Sequence, residues 1–163
     1  MDDLSEFEFP EEGFERLEDE EFVNEQLAQG KTYQEILGYT DEAMEKFYHA
    51  AVALFQREEY ERGAEAFVYL TCLNQNNPLY WIGLAMCEQQ RGEYETALTA
   101  YKMALVINPD DASSYYHAGL CYLSMQDSEH AKEYLKSAIS HAEEIPELKS
   151  IKEQAVELMS SLP

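Results

Sequence analysis

Residues 78–111 read PLYWIGLAMCEQQRGEYETALTAYKMALVINPDD, and this stretch decides the fold. Counting from Pro78, the large residues Trp81, Leu84, Tyr94 and Tyr101 take positions 4, 7, 17 and 24. The small residues Ala85, Ala97 and Ala104 take positions 8, 20 and 27. Gly92 stands at 15 and Pro109 at 32. Two helices meeting at a glycine turn explain this spacing. Small residues on their facing sides let the backbones approach, and large ones fill the space between and beyond them.

A shift of 34 residues repeats the pattern. Forward, Tyr115, Ala118, Gly119, Tyr122, Ala131, Leu135 and Ala138 fall in register. Backward, Phe47, Ala50, Ala51, Leu54, Tyr60, Gly63, Phe67 and Leu70 do so, with Gly63 in place of the usual alanine and Gln75 where proline is common. Cys87 and Cys121 lie one repeat apart, at a small buried position. The pattern resembles the tetratricopeptide repeat, with Glu88 departing where an aromatic is usual. The fold read from it is all-α: three tandem repeats in a right-handed α-solenoid, preceded by an N-terminal helical segment and closed by a C-terminal capping helix. Stacking is obligatory, because each helix pair alone exposes an apolar face.

Local chemistry sets the boundaries. Asn77-Pro78 and Asp111 begin helices, and Arg91-Gly92 ends one. Helices are expected near 41–57, 60–74, 78–91, 94–107, 112–125 and 128–141, with the cap at 146–160 behind Pro146. Before them, 16–29 and 31–37 read as short helices that stop at Gly30 and Gly38. The organisation is therefore an acidic disordered tail at 1–15, a helical segment at 16–40 and a repeat domain at 41–163.

Outward from the repeats, charge dominates. The 163 residues hold 33 acids against 11 bases, a net charge of -22. Residues 1–25 carry twelve acids against Arg16 alone. Phosphates would be repelled, so nucleic acid and anionic membranes are excluded as partners. No apolar run reaches the length of a membrane span, and the acidic start does not resemble a signal peptide. Three cysteines without CxxC spacing read as reduced thiols of a cytosolic protein.

Catalytic and cofactor signals do not emerge. His49, His117, His130 and His141 form no HExxH and no metal spacing with cysteine. His49 and His117 share one repeat register, which points to structural or surface roles. There is no GxGxxG and no P-loop, so the chain reads as a binding protein without cofactor or metal, not as an enzyme.

Repeat geometry instead marks a groove. Positions 2, 5, 9 and 12 of each first helix face the concave side. They are Glu45, Tyr48, Val52 and Phe55, then Leu79, Ile82, Met86 and Gln89, then Ser113, Tyr116, Leu120 and Leu123. Nine of the twelve are apolar or aromatic, the composition of a binding stripe. The bland alternative is packing against a neighbouring helix, or cover by the tail or the final helix. A carboxylate clamp, as some tetratricopeptide domains carry, is missing: its comparable positions hold Tyr48, Val52, Ile82, Gly83, Met86, Ser113 and His117.

From about Glu25 onward the order of segments resembles a known family. QLAQGKTYQEILGYTDEAMEKFYHAAVALFQREEYERGAEAF leads into FVYLTCLNQNNPLYWIGLAMCEQQRGEYETALTAYKMALVINPDD, then SSYYHAGLCYLSMQDSEHAKEYLKSAI, then one capping helix. This resembles the translocator (class II) chaperones of type III secretion in Gram-negative bacteria. The resemblance implies a chaperone of the bacterial cytoplasm that keeps hydrophobic translocators soluble before export. It implies a guest segment of PxLxxP type in the groove, against Tyr48, Val52, Phe55, Leu73 and the second and third repeats. It also implies a homodimer formed through about 16–38. A generic tetratricopeptide adaptor, or a needle-subunit chaperone, is the alternative. The acidic tail with Phe7, Phe9 and Phe14 has no counterpart in this resemblance. It reads as a solubilising extension, with an interaction motif or a pseudo-ligand for the groove as the other reading.

Overall fold

The computed structural model describes residues 11–162. Among the described residues ten α-helices follow one another: α1 Glu11–Arg16, α2 Glu20–Ala28, α3 Tyr33–Leu37, α4 Asp41–Gln56, α5 Tyr60–Leu73, α6 Pro78–Arg91, α7 Tyr94–Ile107, α8 Ala112–Ser124, α9 Ser128–Ala142 and α10 Lys149–Ser161. A short 3-10 turn, Pro146–Leu148, precedes α10. Three consecutive pairs, α4/α5, α6/α7 and α8/α9, stack in order, and α10 closes the stack against α9 and α8. Among the described residues no helix is long and apolar enough to cross a membrane.

The caps are those the sequence offers. Thr40 Oγ1 accepts the Ala43 N–H at 3.1 Å, Asn77 Oδ1 accepts the Leu79 N–H at 3.0 Å, and Asp111 accepts the Ser114 N–H at 3.1 Å. Each satisfies a donor that the first helical turn leaves without a partner.

The repeat register fixes the core. Ala51 and Ala85, at position 8, are fully buried, as are Ala97 and Ala131 at position 20. Phe67, Tyr101 and Leu135, at position 24, expose 2% or less. Gly119 takes the small position of the third pair, where a Cβ would come within 3.0 Å of Leu135. Cys87 and Cys121 are buried as expected. Glu88 is buried in spite of its charge, because Arg91 Nη1 donates to both of its oxygens at 3.0 and 2.9 Å. A buried carboxylate persists only with such a partner.

One backbone feature recurs every 34 residues. Gly92 ends α6 at φ +81°, and its equivalents Glu58 and Gln126 take φ 62°. A side chain there crowds the backbone, whereas glycine does not. Glu58→Gly and Gln126→Gly are each expected to raise stability by roughly 0.5–1 kcal/mol, read from urea unfolding midpoints at unchanged slope. A loss of stability in both would contradict this account.

Two ends differ from the sequence reading. Helix α1 begins at Glu11, inside the stretch read as a disordered tail, while residues 1–10 of that tail lie outside the described residues. The reason is tertiary: Gly13 presses on the backbone of Leu37, where any Cβ would clash, and Arg16 Nη1 donates to the Ile36 carbonyl at 3.3 Å. The helix expected over 16–29 breaks at 17–19, where Asp19 caps α2 by accepting the Phe22 N–H at 3.0 Å. At the other end Pro146 opens a 3-10 turn before α10, a common entry to an α-helix.

Candidate binding groove

Between α4 and α6, the first helices of two successive pairs, the structure opens a cavity of about 220 Å³ lined by Tyr48, Val52, Phe55, Phe67, Leu79, Ile82, Gly83 and Met86. No charged side chain and no side-chain amide stands among these eight, in a chain where 27% of residues are charged. Six of the ten residues expected in the groove therefore meet in one place.

The floor was not read as part of the groove. Phe67, from α5, lines it, and its ring occupies the space a Cβ on Gly83 would need, 2.2 Å from the nearest ring carbon. The signal lies in the repeat register: His49, Gly83 and His117 occupy one position, and the glycine marks where a side chain is left out. His49 is exposed beside Glu45 at 3.6 Å. His117 fills the corresponding space one repeat on, stacked on Tyr101 with ring centroids 6.0 Å apart. Burial holds its imidazole below the ordinary histidine range.

The walls are pinned. Tyr48 meets Phe67 edge-on at 6.1 Å and Tyr80 at 6.0 Å, and Phe55 meets Tyr60 at 5.4 Å. Leu79 remains half exposed. Rings held by neighbours lose little further freedom on binding, which favours affinity.

The other four expected residues are placed differently. Tyr116 and Leu123 of α8 pack toward a second small core, Leu135, Ala138 and Ala155, shared with Leu158 and Met159 of α10. Leu120 is half-buried on the same helix. Leu73 is a correction to the groove set. It is 4% exposed and lines a different cavity, of about 770 Å³, with Leu27, Leu37 and Trp81. It ends α5 and is not among the residues that line the cavity between α4 and α6.

Past Tyr48 and Leu79 the groove runs into a polar cavity of about 360 Å³, lined also by Gln34, Asp41, Glu45, His49, Asn74 and Asn77. A relay of hydrogen bonds braces it. The Asn76 N–H donates to Asn74 Oδ1 at 3.1 Å, Asn74 Nδ2 to Gln34 Oε1 at 2.9 Å, and Gln34 Nε2 to Asp41 Oδ1 at 2.8 Å.

Burial pushes the Cys87 thiol up to about 11 and the Cys121 thiol up to about 12, far from the thiolate a nucleophile needs. Among the described residues no group of three His, Cys, Asp or Glu side chains could hold a metal.

The TPR repeat profile matches residues 87–126, and the tetratricopeptide repeat profile matches 112–144. Low calcium response locus protein H of Yersinia pseudotuberculosis is 22% identical over 123 residues, 76% of this chain and 73% of that one. The translocator chaperone SycD of Yersinia enterocolitica superposes with a TM-score of 0.77 at 22% identity, over 81% of this chain and 98% of that one. The chain carries tetratricopeptide repeats and shares the fold of the translocator chaperone SycD. PcrH, in complex with the chaperone binding region of PopD, superposes with a TM-score of 0.75 at 23% identity, over 76% of this chain and 93% of that one.

Proposed function

We propose that this chain is a type III secretion chaperone of the bacterial cytoplasm. It holds an extended apolar segment of a hydrophobic translocator along its inner curve and keeps that protein soluble until export. The observation that carries the reading is the uncharged cavity between α4 and α6, walled by Tyr48, Val52, Phe55, Leu79, Ile82 and Met86 over Phe67 and Gly83. A guest of PxLxxP type suits it: prolines keep the segment extended and an aliphatic side chain enters the cavity. Tyr116, Leu120 and Leu123 extend the contact along α8, near the second small core.

Binding draws on apolar burial, and no nucleotide drives the cycle, so release comes from competition or from the export machinery. The chain's large negative charge keeps the loaded complex from associating with itself. The N-terminal helical segment, with Leu27 and Tyr33 exposed, provides the surface for self-association.

Co-expression with a candidate translocator tests the reading. The expected result is a soluble complex that survives affinity purification and gel filtration, where the translocator alone is insoluble. A translocator that stays insoluble beside the folded chain, for every candidate encoded nearby, would refute it.

A further inference from the structure

We infer that the groove selects a guest whose apolar anchor is flanked by a lysine or arginine, bound at the mouth formed by Asp41 and Glu45. The inference rests on the groove being the guest site, and it adds the chemistry that site requires beyond the apolar cavity.

Continuity comes first. Tyr48 and Leu79 line both the apolar cavity and the polar one, so an extended segment seated on the first crosses the second at one end. Charge comes next. Asp41 and Glu45 line the polar cavity, and no lysine or arginine does. The nearest lysine along α4, Lys46, is turned to Glu42 at 3.5 Å. The amides are already engaged, since Gln34 and Asn74 are tied into the relay that ends on one oxygen of Asp41.

The N-terminus of α4 accounts for part of this acidity, because carboxylates in a first turn complement the helix dipole. Asp41 and Glu42 occupy that first turn. Glu45 lies beyond it, with 72% of its side chain exposed, and gains nothing there from the dipole. Its close partner is His49, another lining residue of the polar cavity, at 3.6 Å, and its exposed carboxylate stays open to a cation passing along the groove. Against a strongly negative surface a cation beside the anchor is drawn in, and an acidic flank is repelled. The two carboxylates thus sort among apolar segments that the uncharged cavity would accept alike.

The probes are fluorescein-labelled synthetic peptides with a Pro-x-Leu-x-x-Pro core, titrated against the full chain by fluorescence anisotropy. One set carries lysine two residues before the core and another two residues after it, each matched by acetyl-lysine and glutamate versions. For one of the two placements, lysine is expected to bind about fivefold tighter than acetyl-lysine at low salt, with glutamate weaker still and the difference shrinking as salt rises. Asp41→Asn with Glu45→Gln should erase the preference, so that lysine and acetyl-lysine peptides bind alike. Glu45→Gln alone, at an exposed residue without a role in the core, should remove part of it. Equal binding of lysine and acetyl-lysine peptides in both placements, or a preference that survives the double variant, overturns the inference while the groove stands. If no peptide binds in any version, the groove reading itself falls and this one with it.

Discussion

Replacing Tyr48 and Phe55 together by alanine is expected to weaken guest binding at least about 100-fold, while the helical content stays that of the parent. Both side chains wall the uncharged cavity. Each is held by other rings, Tyr48 by Phe67 and Tyr80 and Phe55 by Tyr60, so each presents a fixed surface. Buried aromatic anchors of this kind cost about 2 kcal/mol or more each when truncated, and neighbouring losses do not add fully. Some of the damage falls on the fold, since both residues pack against the core cluster. Circular dichroism and a thermal melt separate the two effects. A folded double variant that holds its guest as tightly as the parent would show that the guest binds elsewhere.

The contact between Phe67 and Gly83 supplies the second large effect. Phe67→Ala is expected to cost about 3–5 kcal/mol of stability, because a fully buried ring leaves a hole. In a chain of this length that lowers the melting temperature by roughly 6–20 °C. Gly83→Ala alone is also expected to destabilise, by about 1–3 kcal/mol, because its methyl would lie 2.2 Å from the Phe67 ring. In the Phe67→Ala background the obstacle is gone, and alanine is the better helix former by about 1 kcal/mol. Gly83→Ala should therefore change sign and stabilise there. A double-mutant cycle in urea measures this directly, and additive costs would mean that the ring does not occupy the glycine's space. Guest affinity should fall with Gly83→Ala, since moving the ring reshapes the floor.

Most of the fold was legible because one signal repeats three times. Small residues at the helix crossings and caps at Asn77 and Asp111 leave little choice of pairing, and the helices of 41–142 end within two residues of their expected limits. The N-terminal segment was harder to read. Its short helices are held by contacts across the chain, such as Gly13 on Leu37, and composition alone carries no trace of a partner more than twenty residues away. The cavity between α4 and α6 was legible to the extent that six residues at positions 2, 5, 9 and 12 of those helices line it. It was less so at α8, because Tyr116 and Leu123 also meet the core shared with α10. Leu73 came from likeness to a family, and the register of its own helix argues against an inward position. Phe67 was read as interior filler, and only the omitted side chain at Gly83 reveals that one edge of it faces the cavity.

Gln34 is 6% exposed and joins Asn74 to Asp41, while Ile36, Leu37 and Tyr39 beside it each expose 5% or less. The lead before the repeats is thus a lid on the solenoid's open end, the counterpart of α10 at the other. Amputating it at residue 38 would strand two hydrogen-bonding partners and bare the flank of the first pair. Such a shortened protein would cling to itself and to bystanders through that raw end, so the pairing of whole molecules is better dissected by single surface changes at Leu27 or Tyr33 than by cutting the lead away.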